Sequence, residues 1–178
     1  MRALVKTVLG RLRLATTNAR RRYWTKRVSR TAASCGPDLR ANSRTIVTPK
    51  THIGRSANFN GMVITGGGTV RIGSWFHSGR DCLVISSFHN YDGGSRIPYG
   101  PKGEDIDKDV TIGDFVWLGD RCIVLGGVTI GEGAIIQAGS VVVSDVPPLA
   151  IAGGHPARVF RTRDAAHFEQ LKSEGKFH

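Results

Sequence analysis

From Ile106 to Pro147 the chain reads as consecutive hexads: IDKDVT, IGDFVW, LGDRCI, VLGGVT, IGEGAI, IQAGSV and VVSDVP. The first place of each is Ile, Leu or Val, at 106, 112, 118, 124, 130, 136 and 142. The fifth place is always small or β-branched: Val110, Val116, Cys122, Val128, Ala134, Ser140 and Val146. A period of six fits neither the α-helix nor the alternation of a plain strand. It fits a chain that turns a corner after each short strand. First-place aliphatics then point inward and stack on their equivalents in the coils above and below. The fifth place must fit a tight interior corner, and Gly or Asp in the second place supplies turn geometry.

The same step is present earlier, less regularly. Val47, Ile53 and Phe59 are six apart, Thr65 reads as a one-residue insertion, and Ile72, Ser78 and Val84 resume the step. At His89 the repeat stops, to restart at Ile106. The stretch between them, residues 90–105, is rich in Gly, Pro and acids and reads as an exposed excursion from a corner, of the kind that lines a binding face. After Pro147-Pro148 a Gly-rich closing turn leads to Asp164, which caps a short helix ending at Gly175. The expected organisation is a basic amphipathic N-terminal segment over 1–45, a β-helix over 46–153 with its excursion at 90–105, and a closing turn and helix over 154–178.

The net charge of +11 is not spread over the chain. Residues 1–45 hold twelve Lys or Arg and one acid, Asp38, which accounts for all of it; residues 46–178 hold thirteen of each sign. A charge argument about the whole protein would therefore mislead. Met1, Leu4, Val5, Val8, Leu9 and Leu12 recur at helical spacing, and Arg20, Arg21, Arg22, Lys26, Arg27 and Arg30 follow. This pattern suits a helix packed on the body or on another subunit, or one attached through residues 1–30 to an anionic membrane surface. A nucleic-acid arm is disfavoured, because no recognised nucleic-acid module accompanies the charge. Cys35, Cys82 and Cys122 show no metal-ligand spacing and read as reduced thiols. With no membrane-length apolar run and no signal-peptide pattern, the expected location is cytoplasmic, with peripheral contact at the inner face of the membrane as an option.

The in-phase hexads, a His before an external loop, and Val116-Trp117-Leu118-Gly119 downstream of it resemble the hexapeptide-repeat acyltransferases. The resemblance is to the sugar O-acetyltransferase type, similar to the maltose, galactoside and xenobiotic acetyltransferases. It implies an all-β fold, a left-handed parallel β-helix of about 18 residues per coil, with helical extensions at both ends. It also implies an acetyl-CoA donor, no metal, and a homotrimer whose coenzyme grooves lie between subunits. His89 falls at the place of the family's acyl-transfer base, which suits a group titrating near neutral pH. The other histidines, His52, His77, His155, His167 and His178, have no such context.

The same resemblance assigns coenzyme contacts to Trp117, Asp120, Ala138, Val143, Ser144, Arg158 and Arg161, the two arginines meeting the CoA phosphates. The family more often has Ser, Thr and Lys at 120, 143 and 144, so its Lys contact to a phosphate lacks a counterpart here. Asn60 matches an acceptor-binding Asn by its place in the coil, and Asn90, Tyr91 and Asp92 open the acceptor-binding excursion. Gly126-Gly127 is a candidate for the backbone donor to the oxyanion.

The expected activity is acetyl-CoA-dependent O-acetylation of a sugar, in cell-surface polysaccharide or lipid-linked oligosaccharide assembly. Alternatives are an antibiotic acetyltransferase, an amino-sugar N-acetyltransferase and a non-catalytic assembly scaffold. A zinc carbonic anhydrase on the same helix would need three converging His ligands, and no H-x₄-H pair is present.

Overall fold

In the computed structural model the backbone is described for residues 2–178 and side chains from Leu14 onward. The apolar stripe expected over Met1–Leu12 therefore lies outside the described side chains. The chain enters through one helix, α1 (Arg2–Thr31), and then winds. The first coil is β1 (Ser34–Cys35), β2 (Arg40–Ala41) and β3 (Thr45–Ile46), and the second is β4 (Thr51–Ile53), β5 (Asn58–Phe59) and β6 (Met62–Thr65). The third is β7 (Val70–Ile72), β8 (His77–Ser78) and β9 (Cys82–Ile85). Next the excursion leaves and returns through an antiparallel ribbon of β10 (Ser87–Phe88) and β11 (Ile106–Asp107).

The fourth coil is β12 (Val110–Ile112), β13 (Trp117–Leu118) and β14 (Ile123–Leu125), and the fifth is β15 (Thr129–Ile130), β16 (Ile135–Ile136) and β17 (Val141–Val142). A last partial coil bridges Val146 to Ile130 and continues into β18 (Ala150–Gly154). This strand folds back as a hairpin with β19 (Ala157–Thr162), and α2 (Ala165–Ser173) follows. Stacked coils give three sheets. The first is β1, β4, β7, β12 and β15; the second is β2, β5, β8, β13, β16 and β18, with β19 added; the third is β3, β6, β9, β14 and β17. Apart from the β18–β19 hairpin, every pairing in them is parallel. The solenoid starts at Ser34, earlier than the expected boundary at 46, because the first coil's interior residues Ala41 and Thr45 are not the Ile, Leu or Val that the pattern flags.

Interior residues advance by alternating steps of four and two: Ile112, Val116, Leu118, Cys122, Val124, Val128, Ile130 and onward are all buried. The early irregularity differs from the expected one. Phe59, Met62, Ile64, Val70 and Ile72 are the buried series, so the corner at Asn60-Gly61 is one residue short and the corner at 65–69 is two long. Thr65 is exposed, and the inward place belongs to Ile64. Ile106 is likewise not a stacked core residue: it belongs to the ribbon, and stacking resumes at Val110.

Turn geometry also sits elsewhere than expected. Positive φ falls on the fourth place of five of the seven hexads, at Phe115, Arg121, Gly127, Gly133 and Gly139, with Trp75 and Asp81 as earlier equivalents. Second-place glycines are needed for close approach instead. A Cβ on Gly119 would lie 2.5 Å from the Ala138 nitrogen, and one on Gly131 2.4 Å from the Pro148 nitrogen. Corner aspartates then tie one coil to the next, Asp109, Asp114 and Asp120 accepting from the backbone N–H of Thr69, Ser74 and Arg80 at 2.6–2.8 Å.

Both open ends of the stack are covered. At the N-terminal end α1 lays Val28 and Trp24 against the first coil, with Thr25 accepting from the Ala41 N–H at 3.0 Å. At the other end Asp164 caps α2 by accepting from the His167 N–H, and Phe168 of α2 is buried edge-on to Phe115.

Candidate active site

The excursion's stem pairs a histidine with a carboxylate. His89 follows β10 and Asp105 precedes β11, so the antiparallel ribbon brings them together. Nδ1 of His89 lies 2.7 Å from Oδ1 of Asp105. An ionised carboxylate only accepts, so Nδ1 carries the proton and Nε2 presents a lone pair. Tyr99 stacks on the imidazole at 4.0 Å and 7°, fixing the ring's plane. The imidazole side chain is 58% exposed and therefore open to a substrate.

Asn90 shapes the loop rather than facing outward: its side-chain oxygen accepts from the Gly93 N–H and its carbonyl from the Gly100 N–H. Glu104 holds the far limb by accepting twice from Ser95, which lowers the Glu104 pKa. Tyr91 and Asp92 are exposed on the excursion. Asp105 and Tyr99 are partners that sequence reasoning missed; an acid at the far stem of a His-containing excursion was the only available signal.

The expected residues divide between two corners of the triangular coil, on either side of the third sheet. At the corner between third and first sheets lie His89, Gly126-Gly127, Val143 and Ser144. The Gly127 N–H donates to the Asp109 carbonyl at 2.8 Å and is not available to an oxyanion. At the corner between second and third sheets lie Asn60, Asp120 and Ala138, Gly139 donating to the Asp120 carbonyl at 2.8 Å. Trp117 stands on the outer face of the adjoining second sheet, 52% exposed. Arg158 and Arg161 lie exposed on β19 against Gly153 and Ile151 of the same sheet.

Asn60 is internally engaged. Its amide accepts from Asn42, donates to the Ser78 carbonyl and sits 3.1 Å from Nε2 of His77. His77 is consequently more than an outward-facing surface residue: burial, with His178 nearby, lowers its pKa. It lines a cavity of about 510 Å³ with Trp75, Phe115, Trp117, Phe168 and Phe177, and His89 is not part of that cavity.

The third sheet's outer face, between the two corners, carries Ile46, Val63, Leu83, Ile123 and Val141 in register, one per coil and all half-buried. The first sheet's outer row, in contrast, reads His52, Arg71, Thr111 and Thr129. Cys82 and Cys122 stack inside the second-to-third corner as free thiols, and Cys35 is also free. A hydrogen bond to Cys122, together with burial, pushes the Cys82 thiol up. Among the described residues, no group of three or more His, Cys, Asp or Glu could hold a metal ion.

Residues 109–144 match the family described as bacterial transferase hexapeptide (six repeats). The galactoside O-acetyltransferase of Escherichia coli (strain K12) is 38% identical over 112 residues, which cover 62% of this chain and 53% of that protein. The chain thus spans about half, or less, of the length of the curated relatives it matches. Among solved structures, a galactoside acetyltransferase in complex with coenzyme A superposes with a TM-score of 0.67 at 30% identity, over 82% of this chain and 70% of that one. A hexapeptide-repeat acetyltransferase of Vibrio cholerae O1 biovar eltor, complexed with acetyl coenzyme A, gives 0.64 at 28% identity over 76% and 74%. The repeat, the fold and this coverage together establish that the chain belongs to the hexapeptide-repeat acetyltransferase family.

Proposed function

We propose that the protein transfers an acetyl group from acetyl-CoA to a hydroxyl of a sugar, with His89 as general base. The observation that carries this reading is the His89–Asp105 pair at 2.7 Å, at the mouth of the excursion in a chain of this family. A sugar hydroxyl is far too weakly acidic to ionise at neutral pH. Nε2 of His89 takes its proton as the oxygen attacks the thioester carbonyl, the C–S bond breaks, and the imidazolium returns the proton to the CoA thiolate. Asp105 holds the tautomer and favours the transient imidazolium. Base catalysis of this kind contributes about 10²–10⁴-fold.

The donor half of the reading rests on Trp117, Arg158 and Arg161, an exposed aromatic and two exposed guanidiniums on the second sheet. They sit across the third sheet from His89 in the same chain. We infer that a complete site forms between copies in a homotrimer, one copy supplying His89 and its neighbour the Trp117 side. The in-register aliphatic row on the third sheet supports such a contact, since it offers an apolar strip between the two flanks that a single copy leaves half-buried. The acceptor is a sugar of cell-surface polysaccharide or lipid-linked oligosaccharide assembly. Isothermal titration of acetyl-CoA, followed by thiol-release assays with sugar acceptors, tests the reading. Micromolar binding at one per subunit with sugar-dependent thiol release supports it; a folded trimer that binds no acetyl-CoA would overturn it.

A further inference from the structure

We propose that α1 is an interfacial anchor that seats the N-terminal end of the solenoid on an anionic bilayer. The helix has one side committed to the body: Val28 is 1% exposed, Trp24 packs on the core, and Thr25 accepts from the Ala41 N–H. At 100° per residue Lys26 falls on the opposite side from Val28, and Arg22 and Arg30, one turn before and after it, share that side. All three are exposed, Tyr23 beside them is 57% exposed, and none of the cations from Arg20 to Arg30 has a carboxylate partner among the described residues.

The helix is continuous from Arg2 to Thr31, and eighteen residues make five turns. Leu4, Val8 and Leu12 therefore share a helical column with Arg22, Lys26 and Arg30, and Val5 and Leu9 share theirs with Tyr23 and Arg27. By sequence position, the columns that carry cations in the described half of the helix carry apolar residues at 4, 5, 8, 9 and 12. A bilayer interface presents a matching pair, an acyl boundary for the leucines and valines and anionic headgroups for the cations. A nucleic acid would leave the apolar half unused. No helix of the described residues is long and apolar enough to cross a membrane. The placement is independent of acetyl transfer.

The test is flotation of the full chain with vesicles of phosphatidylcholine alone or with 30% phosphatidylglycerol (about a third anionic lipid), at low and high salt. Binding to the anionic vesicles is expected to be at least about tenfold tighter than to the neutral ones and to weaken with salt. Arg22→Gln/Lys26→Gln/Arg30→Gln is expected to abolish that preference. Leu4→Ser/Val8→Ser/Leu12→Ser is expected to weaken binding at high salt, where the apolar half carries it. The Arg/Lys set leaves the face packed on the coil untouched, and unchanged acetyl-CoA titration in solution verifies that each variant is folded. Equal affinity for the two vesicle types, or tighter binding to an RNA homopolymer than to anionic vesicles, would overturn the proposal; neither result would bear on acetyl transfer.

Discussion

The two corners flanking the third sheet are built from the same hexad rule, yet they carry different chemistry. The corner toward the first sheet releases the excursion and holds His89 against Asp105 and Tyr99. The corner toward the second sheet stays tight, with Asp120 tying the Arg80 N–H and Ala138 stacked over Gly119. The His89 imidazole and the exposed Trp and Arg side chains thus lie on opposite flanks of an aliphatic face. In such a solenoid the period decides what is inside, and departures from it decide what the outside can do.

If the aliphatic face joins copies, charging it is the most damaging change. Leu83→Lys/Ile123→Lys should leave the coil folded, because both side chains point outward, but should give monomers in analytical ultracentrifugation and no measurable turnover. His89→Ala acts on one flank only: kcat should fall about 10²–10⁴-fold while acetyl-CoA affinity stays within a few-fold by titration. Asp105→Asn removes the partner that fixes the tautomer and should lower kcat about 10–100-fold. On the other flank, Arg161→Ala should raise the acetyl-CoA KM about tenfold with kcat nearly unchanged, the loss of one charge-assisted contact.

The smallest effect is expected at His77. Its pKa is depressed below the ordinary 6.5, chiefly by burial, so the unfolded chain binds that proton more readily. The stability concerned is present above about pH 6.5 and is lost as pH falls through the depressed value. The melting temperature of His77→Gln should therefore decline less between pH 7 and 5 than that of the parent chain.

The stack from Ile112 to Val146 was legible because each interior place faces its equivalents and accepts only aliphatic or small residues. The first coil was not, since its interior residues Ala41 and Thr45 are not Ile, Leu or Val, and Thr45 satisfies its hydroxyl locally on the Ser43 carbonyl. The shifted inward place at Ile64 was hidden because the short corner before it and the long one after it sum to the single insertion visible in sequence. His89 could be singled out from its position at the end of the repeat, whereas Asp105 could not: its pairing depends on a ribbon that closes across sixteen residues. The engagement of Asn60 by Asn42, His77 and Ser78 is a contact between coils, and spacing along one coil gives no hint of it.

The most direct test of a divided site mixes two variants expected to be slow at low acetyl-CoA, His89→Ala and Arg158→Ala/Arg161→Ala, by joint unfolding and refolding, and assays them at that concentration. Random trimers should regain about a quarter of the parent activity, because one interface in four then pairs an intact His89 with an intact arginine side. Activity no greater than the mean of the two variants assayed apart would mean that each site is built within one copy.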